Sequence, residues 1–300
     1  METLLPTLSD ISLKPSIPPV LNNPGNHCYI NSVVQCLIRS LQDCSYDVHF
    51  NENEQGFITK CLVNFISTSN LDFLVALKTA LADFDNFFDG ILQQDALECF
   101  LKLIDILHCG TKYSLINTGD FSFLEDFSSS LTKNLFTLVL KRKHLCSICQ
   151  HENEFELQDN HLNIYPEKQI DITFLLNKSF NSHITKMCNI CSCNTMHFET
   201  TCIEQNPNIL VLVVNRYTFG SHASKNNDGI LINRRLHINT MFYDLIGSIH
   251  HLGISPTSGH YISKLYYHNA IYECNDHEIS SLTCDVELSN SAYIIFYKTV

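Results

Sequence analysis

Apolar positions along the chain fall into two periods, and the change from one to the other divides it. In "YINSVVQCLIRSL", Ile30, Val33, Val34, Leu37 and Leu41 recur at helical spacing, and Leu71, Leu74, Leu77 and Leu81 do so in "LDFLVALKTALADF". "QQDALECFLKLIDILH" predicts a further helix, with Ala96, Phe100, Leu103 and Leu107 on the core face and Asp95, Glu98, Lys102 and Asp105 on a polar one. From about Thr132 the period shortens. "NLFTLVLKR" and "FELQDNHLNIYP" read as strands, as do "NILVLVVNRY", "GHYISKLYYH", "AIYECND" and "SAYIIFYK", separated by turn-forming stretches such as "GSHASKNNDG" and "ISPTSG". Helices first and strands later predict an α+β protein, with no internal repeat and no low-complexity segment.

Composition narrows the class. With 300 residues, 45% hydrophobic and 17% charged, the chain can bury a sizeable core in one large domain or two modest ones. Its longest apolar runs, such as "ILVLVV" at 209–214, fall far short of the roughly 20 residues that span a bilayer, so we expect a soluble protein. Residues 1–20 are proline-rich, carry Glu2 and have no basic leader; they read as a flexible lead-in and not as a signal peptide. The 14 cysteines are then expected to be reduced, in a cytosolic or nuclear setting. A net charge of −12, with one basic cluster at Lys141–His144, argues against nucleic acid and suits either a basic, arginine-rich protein segment or a merely solvated surface.

The chemistry begins at "NNPGNHCYINSVVQCL". If Tyr29 begins a helix, Cys28 lies at its positive end, where free N–H groups favour a thiolate. Gly25 permits a tight backbone approach, and Asn23 and Asn26 offer amide donors near enough to assist the Cys28 N–H at an oxyanion. Taken alone, Cys28 reads equally well as a small buried hydrophobe. A base tips the balance, and among 15 histidines His260 has the best context, because the "TSGHYISKLYY" turn leads into a strand able to hold an imidazole rigidly. Asn275 and Asp276, at the end of the next strand, could each orient that ring.

A second constellation is metallic. Cys146-x-x-Cys149 and Cys188-x-x-Cys191 have the knuckle spacing that tetrahedral zinc prefers, with a β-rich insert between the pairs. Four thiolates leave no open position, so one structural zinc ion is expected, and no catalytic metal or organic cofactor. Cys193 is a spare thiol able to replace Cys191.

Together these stretches resemble the ubiquitin-specific protease family, in the family's motif order from about Leu21 to Tyr297. "NNPGNHCYINS" resembles its Cys box, "LQQDALECF" its Gln-Gln-Asp-Ala-x-Glu-Phe helix, "SGHYISKLY" its His box and "IYECNDHEI" the segment with the third catalytic residue. The resemblance implies a papain-like fold with a mainly helical thumb (21–131), zinc-ribbon fingers (132–205) and a β-sheet palm (206–300). It implies Cys28 as nucleophile, His260 as base, Asn275 (or Asp276) as its orienter, and Asn23 at the oxyanion. Asp95 and Glu98 match positions facing the ubiquitin tail. The implied activity is cleavage of the isopeptide bond after the ubiquitin C-terminal glycine, by a monomer acting on ubiquitin conjugates without membrane or nucleic acid. The alternatives are a ubiquitin-binding pseudo-enzyme and an isopeptidase for a ubiquitin-like modifier. Three letters depart from the pattern: His27 for threonine, Cys99 for phenylalanine and Asn215 for lysine. His27 is where altered activity is first sought, and the turns around 220–229 and 254–259 are candidates to gate the tail channel.

Overall fold

A computed structural model of the chain describes residues 17–42, 48–113, 130–218, 224–255, 258–267, 270–283 and 287–300. Most of the lead-in and parts of both candidate gating turns lie outside these residues. The chain divides into two compact units, one of residues 1–135, 246–253 and 257–283, the other of 136–245, 254–256 and 284–300.

Among the described residues the longer helices of the first unit are α1 (Cys28–Leu41), α2 (Glu54–Thr68), α3 (Leu71–Phe84) and α4 (Ala96–Gly110). All of α1 except Arg39 is buried, including the polar Asn31, Ser32, Gln35 and Ser40, whose side chains donate to backbone carbonyls. It packs on the strand Ser258–Tyr266, and Gly247 allows close approach, since a Cβ there would lie 3.1 Å from Cys36 Sγ. Helices α2, α3 and α4 begin on side-chain caps from Asn53, Asn70 and Asp95, each accepting a backbone N–H of its first turn. Ala96, Phe100, Leu103 and Leu107 are buried, so the core face of α4 is the one its spacing predicts. Ser258–Tyr266 pairs antiparallel with Ile271–Asn275, which pairs in turn with Glu278–Leu282 through a two-residue turn at Asp276 and His277.

The second unit is dominated by strands. A four-stranded antiparallel sheet runs in the order Glu152–Asp159, Leu138–Cys146, Asn194–Gln205, Asn181–Met187. In a separate ladder, Ile209–Val214 lies between Leu162–Ile164 (parallel) and Ala292–Thr299 (antiparallel), and all six of its residues are buried, as an unbroken apolar run requires. Arg216 directly beyond it is 0% exposed, and its guanidinium donates to the carbonyls of Ala292, Asn226, Asp228 and Ser289 at 2.6–3.1 Å. Burial brings its pKa down to about 10.

Two helices occupy stretches whose composition reads as strand. Ile172–Phe180 is helical because Asp171 caps it, accepting the Phe174 N–H at 3.0 Å, and its Ile172, Leu175 and Leu176 are buried. A short helix at Leu131–Phe136 delays the predicted strand, which begins at Leu138. Among the described residues no helix is long and apolar enough to cross a membrane.

Candidate active site

The approach to α1 is a turn held by its own side chains. Asn23 Oδ1 accepts the N–H groups of Gly25 (3.2 Å) and His27 (2.9 Å). The Asn26 N–H donates to Gly90 O at 3.0 Å, and its side-chain amide donates to Ile91 O at 3.0 Å. Gly90 has φ +71°, and a Cβ on it would fall 2.2 Å from the His27 ring, so this position demands glycine twice over. His27 thus fills the space above Gly90, with Nδ1 buried and unpartnered. Burial first, then Lys78, lowers its pKa, which favours the neutral ring beside Cys28. Cys28 is the first residue of α1 and 5% exposed, among the N–H groups that helix geometry leaves unpaired.

His260 faces this thiol. The Cys28 side chain is the strongest influence on its ring, and its Nε2 lies 2.6 Å from Asn275 Oδ1. An amide oxygen only accepts, so Nε2 carries a proton and Nδ1 remains for the sulfur. The Cys28 contact, reinforced by Asn275 and opposed by burial, raises the His260 pKa to about 9. The imidazole can therefore stay protonated at neutral pH. Nearby, the Gly259 N–H donates to Gln93 Oε1 at 3.2 Å, tying the His260 strand to the residues before α4.

The two adjacent candidates for orienting the ring divide their tasks. Asp276 Oδ2 stands 3.9 Å from His260 Nε2, beyond hydrogen-bond distance. That oxygen instead accepts the Asn23 amide at 2.8 Å, while Oδ1 accepts Asn31 Nδ2 at 2.7 Å. Asp276 has φ +53°, a left-handed conformation that aspartate tolerates better than most residues. Asn31 Oδ1 in turn accepts Lys78 Nζ at 2.7 Å. Sequence reasoning passed over both Lys78 and Gln93: a lysine on an amphipathic helix ordinarily signals a solvated face.

Asp95 and Glu98 sit at the start of α4 with unequal freedom. Asp95 Oδ1 caps the helix, accepting from the Leu97 and Glu98 N–H groups at 2.8 and 3.0 Å, and Oδ2 receives Tyr261 OH at 3.5 Å. Glu98 is exposed. Asp95 therefore has a structural duty that its place on a polar helical face did not reveal.

In the second unit, Cys146, Cys149, Cys188 and Cys191 bring their sulfurs within 4.8 Å of one another. Cys146–Cys191 and Cys149–Cys188 separations are 3.9 and 3.6 Å, and sulfurs held about 2.3 Å from a tetrahedral zinc lie about 3.8 Å apart. Backbone N–H groups of Cys191 and Ile190 bring the Cys188 pKa down to about 5, and those of Cys149 and Ile148 lower Cys146 in the same way. Such N–H···S bonds suit metal-bound thiolates, so the donor set fits a metal ion of zinc's preferences. Cys193 is outside the cluster, with its thiol donating to Cys191 O at 3.2 Å.

Similarity to known proteins extends over most of the chain. The family model described as ubiquitin carboxyl-terminal hydrolase matches residues 20–297. Ubiquitin carboxyl-terminal hydrolase 25 of Arabidopsis thaliana is 28% identical over 319 aligned residues, covering 94% of this chain and 47% of the relative. Ubiquitin carboxyl-terminal hydrolase Usp2 of Drosophila melanogaster is 23% identical over 330, covering 93% and 34%. The chain thus spans half or less of the length of these two relatives. Among solved structures, the SAGA Ubp8/Sgf11/Sus1/Sgf73 DUB module bound to ubiquitin aldehyde superposes with a TM-score of 0.73 at 20% identity, over 94% of this chain and 69% of that one. At that identity the likeness speaks for the fold, which is the ubiquitin-specific protease type that the motifs imply. That relative belongs to a multi-subunit assembly, which lends the expectation of a monomer no support.

Proposed function

The chain belongs to the ubiquitin carboxyl-terminal hydrolase family, and on that premise we propose that it is a thiol isopeptidase releasing ubiquitin from protein conjugates. One observation carries the reading: a cysteine at a helix start stands against a histidine whose Nε2 is held by an asparagine. A lone buried cysteine needs none of these partners.

In the proposed reaction the Cys28 thiolate attacks the carbonyl carbon after the ubiquitin C-terminal glycine, and imidazolium His260 holds the proton taken from sulfur. The carbonyl oxygen becomes an oxyanion, met by the Cys28 N–H and the Asn23 amide. As the C–N bond breaks, His260 passes its proton to the departing lysine amine. Water, deprotonated by His260, then attacks the thioester, and the carboxylate and thiol are regenerated. Asn275 keeps the ring in one tautomer throughout.

Ubiquitin as the partner is supported by family membership and by a solved relative bound to ubiquitin aldehyde. Exposed Glu98 would hold cationic side chains of its tail through charge-assisted bonds, with Asp95 beside it at the start of the same helix. We assign the four-cysteine site to zinc. Held by Cys146, Cys149, Cys188 and Cys191, the ion would cross-link two knuckles of a sheet with little core and supply no water activation. Reduced thiols fit work in the cytosol or nucleus. Substrate identity is tested with matched C-terminal electrophile probes made from ubiquitin and from its relatives. Fastest labelling of Cys28 by the ubiquitin probe is expected; faster labelling by a ubiquitin-like modifier would reassign the substrate.

A further inference from the structure

The turn before the nucleophile is held from a side that the catalytic reading does not use. Lys78, on α3, donates from Nζ to the carbonyl of Asn22 and to Oδ1 of Asn31, both at 2.7 Å. An ammonium only donates, so it fixes the oxygen end of the Asn31 amide toward itself and turns Nδ2 the other way. Nδ2 then meets Asp276 Oδ1 at 2.7 Å and caps the carbonyls of Leu21 and Asn22 at 3.3 and 3.4 Å. Asp276 Oδ2 is thereby left to Asn23 Nδ2 at 2.8 Å. Asn23 Oδ1 is already occupied by two backbone N–H groups, so its amide plane is fixed at both ends with one N–H proton unspent.

We propose that Lys78 is a positioning residue for oxyanion stabilisation, holding the Asn23 amide in its donating orientation through Asn31 and Asp276. The inference rests on the reading of Cys28 as nucleophile and Asn23 as oxyanion donor. Without the cation, the buried Asn31 amide loses the bond that fixes its oxygen end, so the Nδ2 that holds Asp276 Oδ1, and with it the hold of Asp276 on Asn23, loosens. The position is costly for a lysine, since burial brings its pKa down to about 8 against the pull of Asp276. A solvated lysine on the face of a helix would show neither that burial nor two directed bonds of this length.

The test compares wild type, Lys78→Met, Asn31→Ala, Asn23→Ala and the double variant Lys78→Met/Asn23→Ala. Two assays are read: turnover of a fluorogenic ubiquitin C-terminal amide, and labelling by ubiquitin carrying a C-terminal propargylamide, in which sulfur adds to an alkyne and no oxyanion forms. Loss of one oxyanion donor costs on the order of a hundredfold in kcat, so misplacing it is expected to cost roughly tenfold. Lys78→Met and Asn31→Ala should each lower kcat by about this factor with KM within about twofold and labelling unchanged. The double variant should be no slower than Asn23→Ala. Wild-type kcat in Lys78→Met, a further tenfold loss on top of Asn23→Ala, or labelling that falls in step with turnover would overturn the proposal. Should Lys78→Met fail to fold, Asn31→Ala must show the same split between assays, and its absence is decisive. A wild-type protein inert in both assays would instead defeat the isopeptidase reading itself.

Discussion

Asn275 Oδ1 and His260 Nε2 lie 2.6 Å apart, while the carboxylate of the very next residue stops 3.9 Å from the same nitrogen. One left-handed residue, Asp276, lies at the turn where this division is made: the Asn275 side chain meets His260 and the Asp276 side chain meets Asn23 and Asn31. The amide orients the base and the acid serves Asn23 and Asn31.

The two positions should therefore fail differently. Asn275→Ala releases the imidazole, so kcat/KM for ubiquitin-amide hydrolysis should fall by roughly a hundredfold, within the range general acid–base catalysis contributes. Asn275→Asp, which still accepts from Nε2, should recover most of it. Steady-state kinetics on the two variants check this, and equal losses would show that the amide is not the orienting group.

The thiol is also the largest cause of the raised His260 pKa. Cys28→Ala should consequently move the ring from about 9 back toward the ordinary 6.5, as read by an NMR pH titration of its imidazole carbons. The sign for stability follows. A histidine whose folded pKa exceeds the unfolded value contributes fully below about 6.5 and loses that contribution as pH rises through about 9. The advantage in Tm of wild type over Cys28→Ala should thus be lost across that interval; an advantage that grew with pH would contradict the assignment.

For the cysteine cluster, metal analysis of purified protein should give about one zinc per chain. Cys188→Ser should abolish binding, whereas Cys193→Ser should leave it intact, since only Cys188 belongs to the four-sulfur set. A strong chelator should lower Tm, because the ion's binding energy is in part folding energy. Equal metal loss in both variants would return Cys193 to the ligand set.

Where the sequence was legible and where it was not follows from the physics of each element. Helices α1, α3 and α4 could be read because each buries a continuous face, and Cys28 because a turn-then-helix context has local letters. Helix α2 was not singled out: Gly56 and several polar residues break its apolar period, although Asn53 caps it. Ile172–Phe180 carries the β-branched and aromatic composition of a strand, and only the Asp171 cap three residues before Phe174 betrays it. Asn275 and Asp276 could not be separated, since sequence does not report the φ of Asp276. Lys78 was hidden for the opposite reason. Its partners come from segments 47 and 56 positions away, and no local pattern encodes such a meeting.

The central claim is that the Cys28, His260 and Asn275 constellation makes this chain a ubiquitin hydrolase, and it is tested most directly by comparing wild type with Cys28→Ala on a ubiquitin C-terminal fluorogenic amide. Measurable wild-type turnover is expected, abolished by the substitution while ubiquitin binding, followed by titration calorimetry, persists. Undiminished turnover in Cys28→Ala would contradict the account.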